Sequence, residues 1–324
     1  MKPSPSRRLL LQSIGSALLG GTALHAGAQR PGVLKLIVGT AAGGALDQVA
    51  RLLSRSINGF DAVVVENRVG ASGRIAMDVV ARARPDGRTL LVSPDFCFTV
   101  SPHVYRKLTP NPDELLPVAR CVTSEYALCV GPAVPAQVDT VAEFFGWCRR
   151  NPALAVFGSP SPGSTAHFVG LELARMANVN LVHVPYRGGA PALQDLLAGQ
   201  LSATVSPVPE ILPHLKASKV RVLATSGTKR SIPAVPTFAE AGFPEHAIQS
   251  WIGIFAPPAT PVSTLTSFEA AIGEALKSAP VAEGLTDIGF NVSFAPRQRL
   301  AALVQEDRKR WGPIVKASGF TIEE

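Results

Sequence analysis

The chain alternates between two hydrophobic rhythms, and that alternation limits the folds open to it more than any other feature. Residues 34–38 are a short apolar run suited to a strand. Residues 47–57 follow, with Val49, Ala50, Leu53 and Ile57 at helical spacing. A second strand is expected over 62–65, and a helix over 74–83 with Ile75, Val79 and Val80 turned inward. Pro85, Asp86 and Gly87 form a turn before a third strand over 89–92. Strand–helix–strand repeats of this length build a parallel sheet with helices on its faces. The same order recurs downstream, with strands expected over 126–130, 155–157, 181–184, 203–205, 220–225 and 251–255. Helices are expected over 140–150, 165–177, 190–198, 262–278 and 297–317. In 324 residues there is room for two such units, so the expected fold class is α/β with two doubly wound domains. Hydrophobic residues make up 46% and charged residues 17%, which excludes disorder for most of the chain.

Residues 1–28 follow neither rhythm. Lys2, Arg7 and Arg8 precede an apolar stretch over 9–24, and Ala26, Gly27 and Ala28 have the small side chains of a cleavage site. This is the layout of a secretory signal peptide. A membrane anchor is the alternative, but the stretch is short and glycine-rich against the roughly 20 residues a span needs. Residues 6–12 also resemble a twin-arginine signal, and both export routes stay open. The expected location is the periplasm, with cleavage near Ala28. Of the formal net charge of +7, three units lie in this segment, leaving +4 without a basic block. Such a chain is a poor candidate for nucleic acid. Cys97, Cys121, Cys129 and Cys148 lack C-x-x-C spacing, so a zinc or redox motif is disfavoured, while disulfides and buried thiols both remain open.

Four strand-to-helix loops are rich in glycine and serine: 39–45, 69–73, 159–165 and 186–191. Each lets a ligand approach the backbone at a helix N-terminus, where free N–H groups and partial positive charge favour anions. Glycine and serine are also what tight loops and helix caps require, so one such loop says little. Four together point to an anion-binding cleft at the carboxyl ends of parallel strands. Carboxylate fits better than phosphate, because Ala45 stands where a phosphate loop would carry its lysine. Enzyme signatures are weak. No G-x-S-x-G, H-E-x-x-H or G-x-G-x-x-G occurs. Ser226 and Lys229 match S-x-x-K, yet close a strand instead of opening a helix. His103, His167, His183, His214 and His246 lack paired-ligand spacing, so no metal and no cofactor is expected.

Taken with their flanks, these loops resemble the Bug-type substrate-binding proteins of tripartite tricarboxylate transporters. The markers run in order: Gly43-Gly44-x-x-Asp47, Val65-Glu66-Asn67-Arg68 with Gly70-Ala71, and Pro85-Asp86-Gly87 with Thr89-Leu90-Leu91. Gly163-Ser164-x-x-His167 follows, then His183 to Gly188 with Ala190-Pro191-Ala192-Leu193 and Gly199-Gln200. Pro236 to Gly242, Ser250-Trp251-x-Gly253 and Ala256-Pro257 complete the series. It covers residues 33–320, nearly the whole chain after the leader.

The resemblance implies a two-domain receptor of the Venus-flytrap, type II-like periplasmic-binding-protein architecture. One domain would comprise 29–124 and 251–324, the other 125–250, with crossing strands near 121–126 and 249–253. It implies a small carboxylate ligand, no catalysis, a monomer, and permease subunits as membrane partners. Ser159, Gly163, Ser164, Thr165, Arg187, Gly188, Gly189 and Ala190 would hold the carboxylate, and Ser164 and Thr165 together replaced by alanine should weaken binding without unfolding. Gly43, Gly44, Gly70 and Ala71 would close over it, with Asp47, Arg74, Ser93, Asp95 and Ser206 completing the set. Departures from the family pattern are instructive. Residues 39–42 lack the usual aromatic wall, Leu46 replaces a hydroxyl residue, and Val69 stands where proline is usual. Arg74 could add a cation to the cleft. Ser206 replaces an aspartate that would pair with a substrate ammonium, which implies an uncharged or acidic distal group. A sensor whose closed form docks on a signalling partner, and an exported hydrolase or isomerase, are the competing readings.

Overall fold

A computed structural model describes residues 32–244 and 247–323. The leader and His246 lie outside the described residues. The first half-sheet begins as the sequence predicts: β1 (Val33–Val38), α1 (Ala45–Ser54), β2 (Ala62–Asn67), α2 (Arg74–Ala81) and β3 (Thr89–Pro94). Two short helices, α3 (Phe96–Thr99) and α4 (Ser101–Val104), lead to the long strand β4 (Leu116–Val130). Then come α5 (Val141–Arg150), β5 (Val156–Ser159), α6 (Thr165–Met176), β6 (Val182–Pro185), α7 (Gly189–Leu197), β7 (Ala203–Pro207), α8 (Val208–Lys216) and β8 (Arg221–Thr225). The chain ends with β9 (Gln249–Ala256), α9 (Val262–Lys277), α10 (Ala279–Asp287), β10 (Asn291–Pro296) and α11 (Arg297–Ser318).

The strands run in the order β2-β1-β3-β9-β4-β7-β5-β6, with β10 and β8 also on β4. β1 is parallel to both β2 and β3, and β5 is parallel to both β6 and β7. β4 joins the two groups. Residues 116–125 pair antiparallel with β9, and residues 126–130 pair with β7 and β8. The crossings expected at 121–126 and 249–253 lie within these two strands.

Alternate residues of the strands bury against different layers, as strands covered on both faces require. Leu34, Leu36 and Val38 join a core with Val49, Leu53, Phe268 and Leu276, while Ile37 faces Met77, Phe98 and Leu300. In the second group Leu128 and Val130 meet Phe144, Phe157 and Phe168, while Ala127 and Cys129 meet Leu193, Leu196 and Ile211. The 22-residue α11 crosses between them: Leu300 and Val304 sit in the first half's core, and Trp311 and Val315 in the second's.

The short α3 and α4 have no counterpart in the sequence pattern, and three further elements escape it. α8 carries Pro209 and Pro213, which blur its helical signal. α10 follows α9 with only Ser278 between them. β10 is an edge strand whose Phe294 stays 42% exposed. Ile75, expected inward, is 45% exposed; Ala76, Met77 and Val80 take the buried face of α2. The four cysteines are free, buried thiols, and burial pushes each up to about 12, which leaves them inert.

Candidate ligand-binding site

Because β5, β6 and β7 are parallel, α6, α7 and α8 all start at one edge of that half-sheet. Ser164 is the N-cap of α6; its Oγ donates to Ser161 O at 2.7 Å and accepts from His167 N at 3.4 Å. Gly163 takes φ +71°, and its N–H donates to His167 Nδ1 at 3.2 Å. His167 stacks on His183 with centroids 3.7 Å apart. His183 Nε2 lies 2.8 Å from Ser159 Oγ, whose own proton goes to Ser161 O at 3.2 Å. With that proton committed to Ser161 O, His183 Nε2 is assigned as the donor and Ser159 keeps no proton to offer an anion. Burial drives both imidazoles neutral, His167 down to about 3 with help from its neighbour and His183 down to about 4. They shape the loop and stay uncharged through the neutral range.

The hydroxyls of this loop are therefore engaged within the protein. Thr165 is fully buried, and its Oγ1 donates to Asp95 Oδ2 at 3.2 Å. What the α6 terminus still offers an anion is its first backbone N–H groups, which have no intrahelical acceptor. Removing the Ser164 and Thr165 hydroxyls would remove a cap and a buried bond, so the double substitution is expected to cost stability. Ser164→Ala alone is expected to cost about 1 kcal/mol, read as a lower urea midpoint. An unchanged midpoint would show that the cap contributes nothing.

The loop between β6 and α7 leaves Arg187 and Ala190 exposed, with Gly188 at φ +119° and its N–H bonded to Pro160 O at 2.7 Å. Ser206, next to last in β7, is fully buried, and its Oγ has no hydrogen-bond partner.

The facing loops belong to the first half. Gly44 caps α1. Asp47 is fully buried; its Oδ2 accepts from Gly43 N at 2.8 Å and Arg51 Nε at 2.7 Å, and its Oδ1 accepts from Asn67 Nδ2 at 2.8 Å. Burial works against its charge, but these bonds outweigh burial and hold the carboxyl below its usual value. Asp47 thus clamps the first glycine loop and has little capacity left for a ligand. Gly70, Ala71 and Ser72 all have positive φ, a conformation costly for the two non-glycine residues. It carries Ser72 Oγ to 2.6 Å from Ser161 Oγ, joining the loops of the two half-sheets. Arg74 lies over the Tyr105 ring at 4.4 Å from its centroid, a cation–π contact, and its Nε donates to Ala71 O at 3.3 Å.

Ser93 is buried and donates to Pro94 O at 3.2 Å. Asp95 sits where all parts meet. Besides Thr165 of α6, Tyr126 OH of β4 approaches its Oδ1 at 3.4 Å and Ser250 Oγ of β9 at 3.5 Å. Burial, aided by the negative Asp307, pushes its carboxyl up to about 7. Tyr126, Ser161, Ser72 and Ser250 were not singled out from the sequence as site residues. Ser72 and Ser161 stood inside the glycine-rich loops, and only folding shows that they touch.

A family described as the tripartite tricarboxylate transporter family receptor matches residues 47–320. The chain belongs to this family. Protein BugT of Bordetella pertussis is 30% identical over 301 residues, covering 90% of each chain. MatC from Rhodopseudomonas palustris, solved with bound malate, superposes at a TM-score of 0.79 with 32% identity, covering 88% of this chain and 99% of its own. A second R. palustris protein, solved with adipate, reaches 0.84 with 30% identity, covering 90% of this chain and 98% of its own. The Bug-type receptor fold inferred from the loops is thus borne out. Among the described residues, this receptor has no metal-binding cluster and no helix long and apolar enough to cross a membrane. Ser226, the first residue of the S-x-x-K match, accepts from Tyr126 N at 2.9 Å and donates to Ile248 O at 2.5 Å, a structural role.

Proposed function

We propose that this receptor captures a small carboxylate in the periplasm and hands it to permease subunits of a tripartite tricarboxylate-type transporter, without catalysis. The observation that carries this reading is the meeting of the loop before α6 with the loop holding Ser72, Ser161 Oγ lying 2.6 Å from Ser72 Oγ, while the loop before α7 is tied to the same place by Gly188 N donating to Pro160 O. Helix N-termini are anion sites, and a gap shared by two half-sheets can close around its ligand. The malate and adipate bound by similar receptors fit the same chemistry. We place the leader at residues 1–28, cut near Ala28, and the domains at 29–124 with 251–324 and at 125–250. Closure would bend the chain at β4 and β9, while the buried Asp95 cluster links both strands to α6.

Mass spectrometry of gently purified protein, followed by calorimetry against a carboxylate panel, tests the reading. One carboxylate per monomer is expected, recovered unchanged by NMR. Ser161→Asp sets a negative charge opposite Ser72 and should weaken carboxylate binding at least tenfold, measured at a temperature where its unfolding curve shows the variant fully folded. Turnover of the bound acid, or full affinity in Ser161→Asp, would contradict the assignment.

A further inference from the structure

The α6 N-terminus assigned above to the ligand carboxylate already has a carboxyl beside it. Asp95 directly follows β3, and its N–H donates to Trp251 O of β9 at 3.0 Å. Its side chain is buried among three hydroxyls: Thr165, the first residue of α6, Tyr126 of β4 and Ser250 of β9. One group thus touches a helix of the second half and both strands that cross between the halves. The distances, 3.2 Å to Thr165, 3.4 Å to Tyr126 and 3.5 Å to Ser250, are long beside the roughly 2.5–2.7 Å of a hydroxyl on a charged carboxylate. A neutral carboxyl suits such a ring, because it gives one hydrogen bond and takes others, as hydroxyls do. Of the charges beyond the ring, the negative Asp307 of α11 bears on it most. Burial raises the Asp307 carboxyl as well, against a bond from Trp251 Nε1 at 2.9 Å and the charges of Arg310 and Arg120, with Glu306 acting with burial. Arg308 is bonded to Phe98 O and paired with Asp113. Cys97 of α3 and Tyr126 also face Asp95, and burial raises both far enough that neither ionises near neutral pH. His167 and His183 stay neutral there.

We propose that Asp95 is a proton-linked latch: the receptor takes up a proton there when a carboxylate settles at α6 and the half-sheets close, so that it grips its cargo on the acidic side of neutrality and loosens above it. The inference rests on the carboxylate reading above and adds its regulation. An anion on the first N–H groups of α6 shares Thr165 with Asp95, the backbone on one side and the hydroxyl on the other. Closure excludes water from between them. Two like charges so close in a low dielectric disfavour one another, and the protein's own carboxyl relieves the conflict by taking a proton. Burial already brings that carboxyl to about 7, where a modest further push decides its state. Glu210 also reaches about 7 by burial, at the start of α8 against Gly189. It abuts α7 instead of α6, which makes it the control.

Calorimetry with malate or adipate, or with the panel acid that binds, tests the latch. Ordinary carboxyls titrate at about 4, so these acids are fully ionised near neutral pH and any proton taken up goes to the protein. At about pH 8, in Tris and in HEPES, whose ionisation heats differ, the wild-type protein is expected to take up about one proton per acid bound. Its affinity should fall roughly fivefold or more between about pH 6.5 and about pH 8. Asp95→Asn should bind with no proton uptake and no such fall, and should hold the acid more tightly than wild type at the higher pH. Glu210→Gln should keep both the uptake and the fall. Should Asp95→Asn fail to fold, the proton counts of wild type and Glu210→Gln decide. Binding without proton uptake in wild type, a fall that persists in Asp95→Asn, or uptake lost in Glu210→Gln would each overturn the latch and leave carboxylate capture standing. Folded wild-type protein that binds no acid of the panel would overturn the carboxylate reading and the latch with it.

Discussion

Phe157→Ala is expected to destabilise the protein by roughly 3–5 kcal/mol, the usual cost of emptying a buried phenylalanine site. Phe157 is fully buried in β5, with its ring 5.0 Å from His183 and 6.4 Å from His167. On its other side it fills the space left by Gly170, where any β-carbon would run into the ring. The cavity would open between β5, β6 and α6, under the loop that carries Ser159 and Ser164. Urea unfolding should show the loss, and ligand affinity should fall with it, because the stacked histidines that hold this loop lose their support. A loss below about 1 kcal/mol would mean that the layer repacks around the gap and that the loop is held by other contacts.

Asp95→Asn should make the protein more stable at neutral and alkaline pH and change little near pH 4. Unfolded, the carboxyl titrates near its ordinary 3.8; folded, burial raises it to about 7. Between those values the folded protein holds a proton that the unfolded chain has released. Stability of the wild-type protein therefore falls as pH rises through that window and stays lower above it. The amide carries no charge to desolvate, so the midpoint difference, variant minus wild type, should climb from pH 4 to about pH 7 and then level off. Its plateau is on the order of a few kcal/mol. Glu210 is raised to about 7 as well, but it is present in both proteins and cancels in the difference. A difference that is flat with pH, or that falls, would show that Asp95 is ionised in the fold at no cost.

How much was legible in advance can be judged residue by residue. The loops at 43–44, 70–71, 163–165 and 187–190 were readable because glycine at positive φ and serine at a helix cap leave a local signature. Asp47 was readable as a loop residue, but its role was not. Its partners Arg51 and Asn67 come from one helical turn and from the next strand, and only their convergence shows that the carboxyl is spent. Thr165 shows the same limit, since the acceptor of its hydroxyl lies 70 residues earlier in the chain. Glu210 left no trace at all, because the prolines of α8 masked the helix that carries it.

The sequence by itself determined the layered α/β order, the glycine loops and, through their succession, the receptor family. Those depend on periodicity and on backbone freedom, both of which are written locally. The tertiary structure alone decided which polar groups keep unused hydrogen-bonding capacity. Hydrogen-bond capacity is consumed by partners distant in the chain, so Ser159, Asp47 and Thr165 were closed off, while Ser206 and Glu210 were left unpartnered.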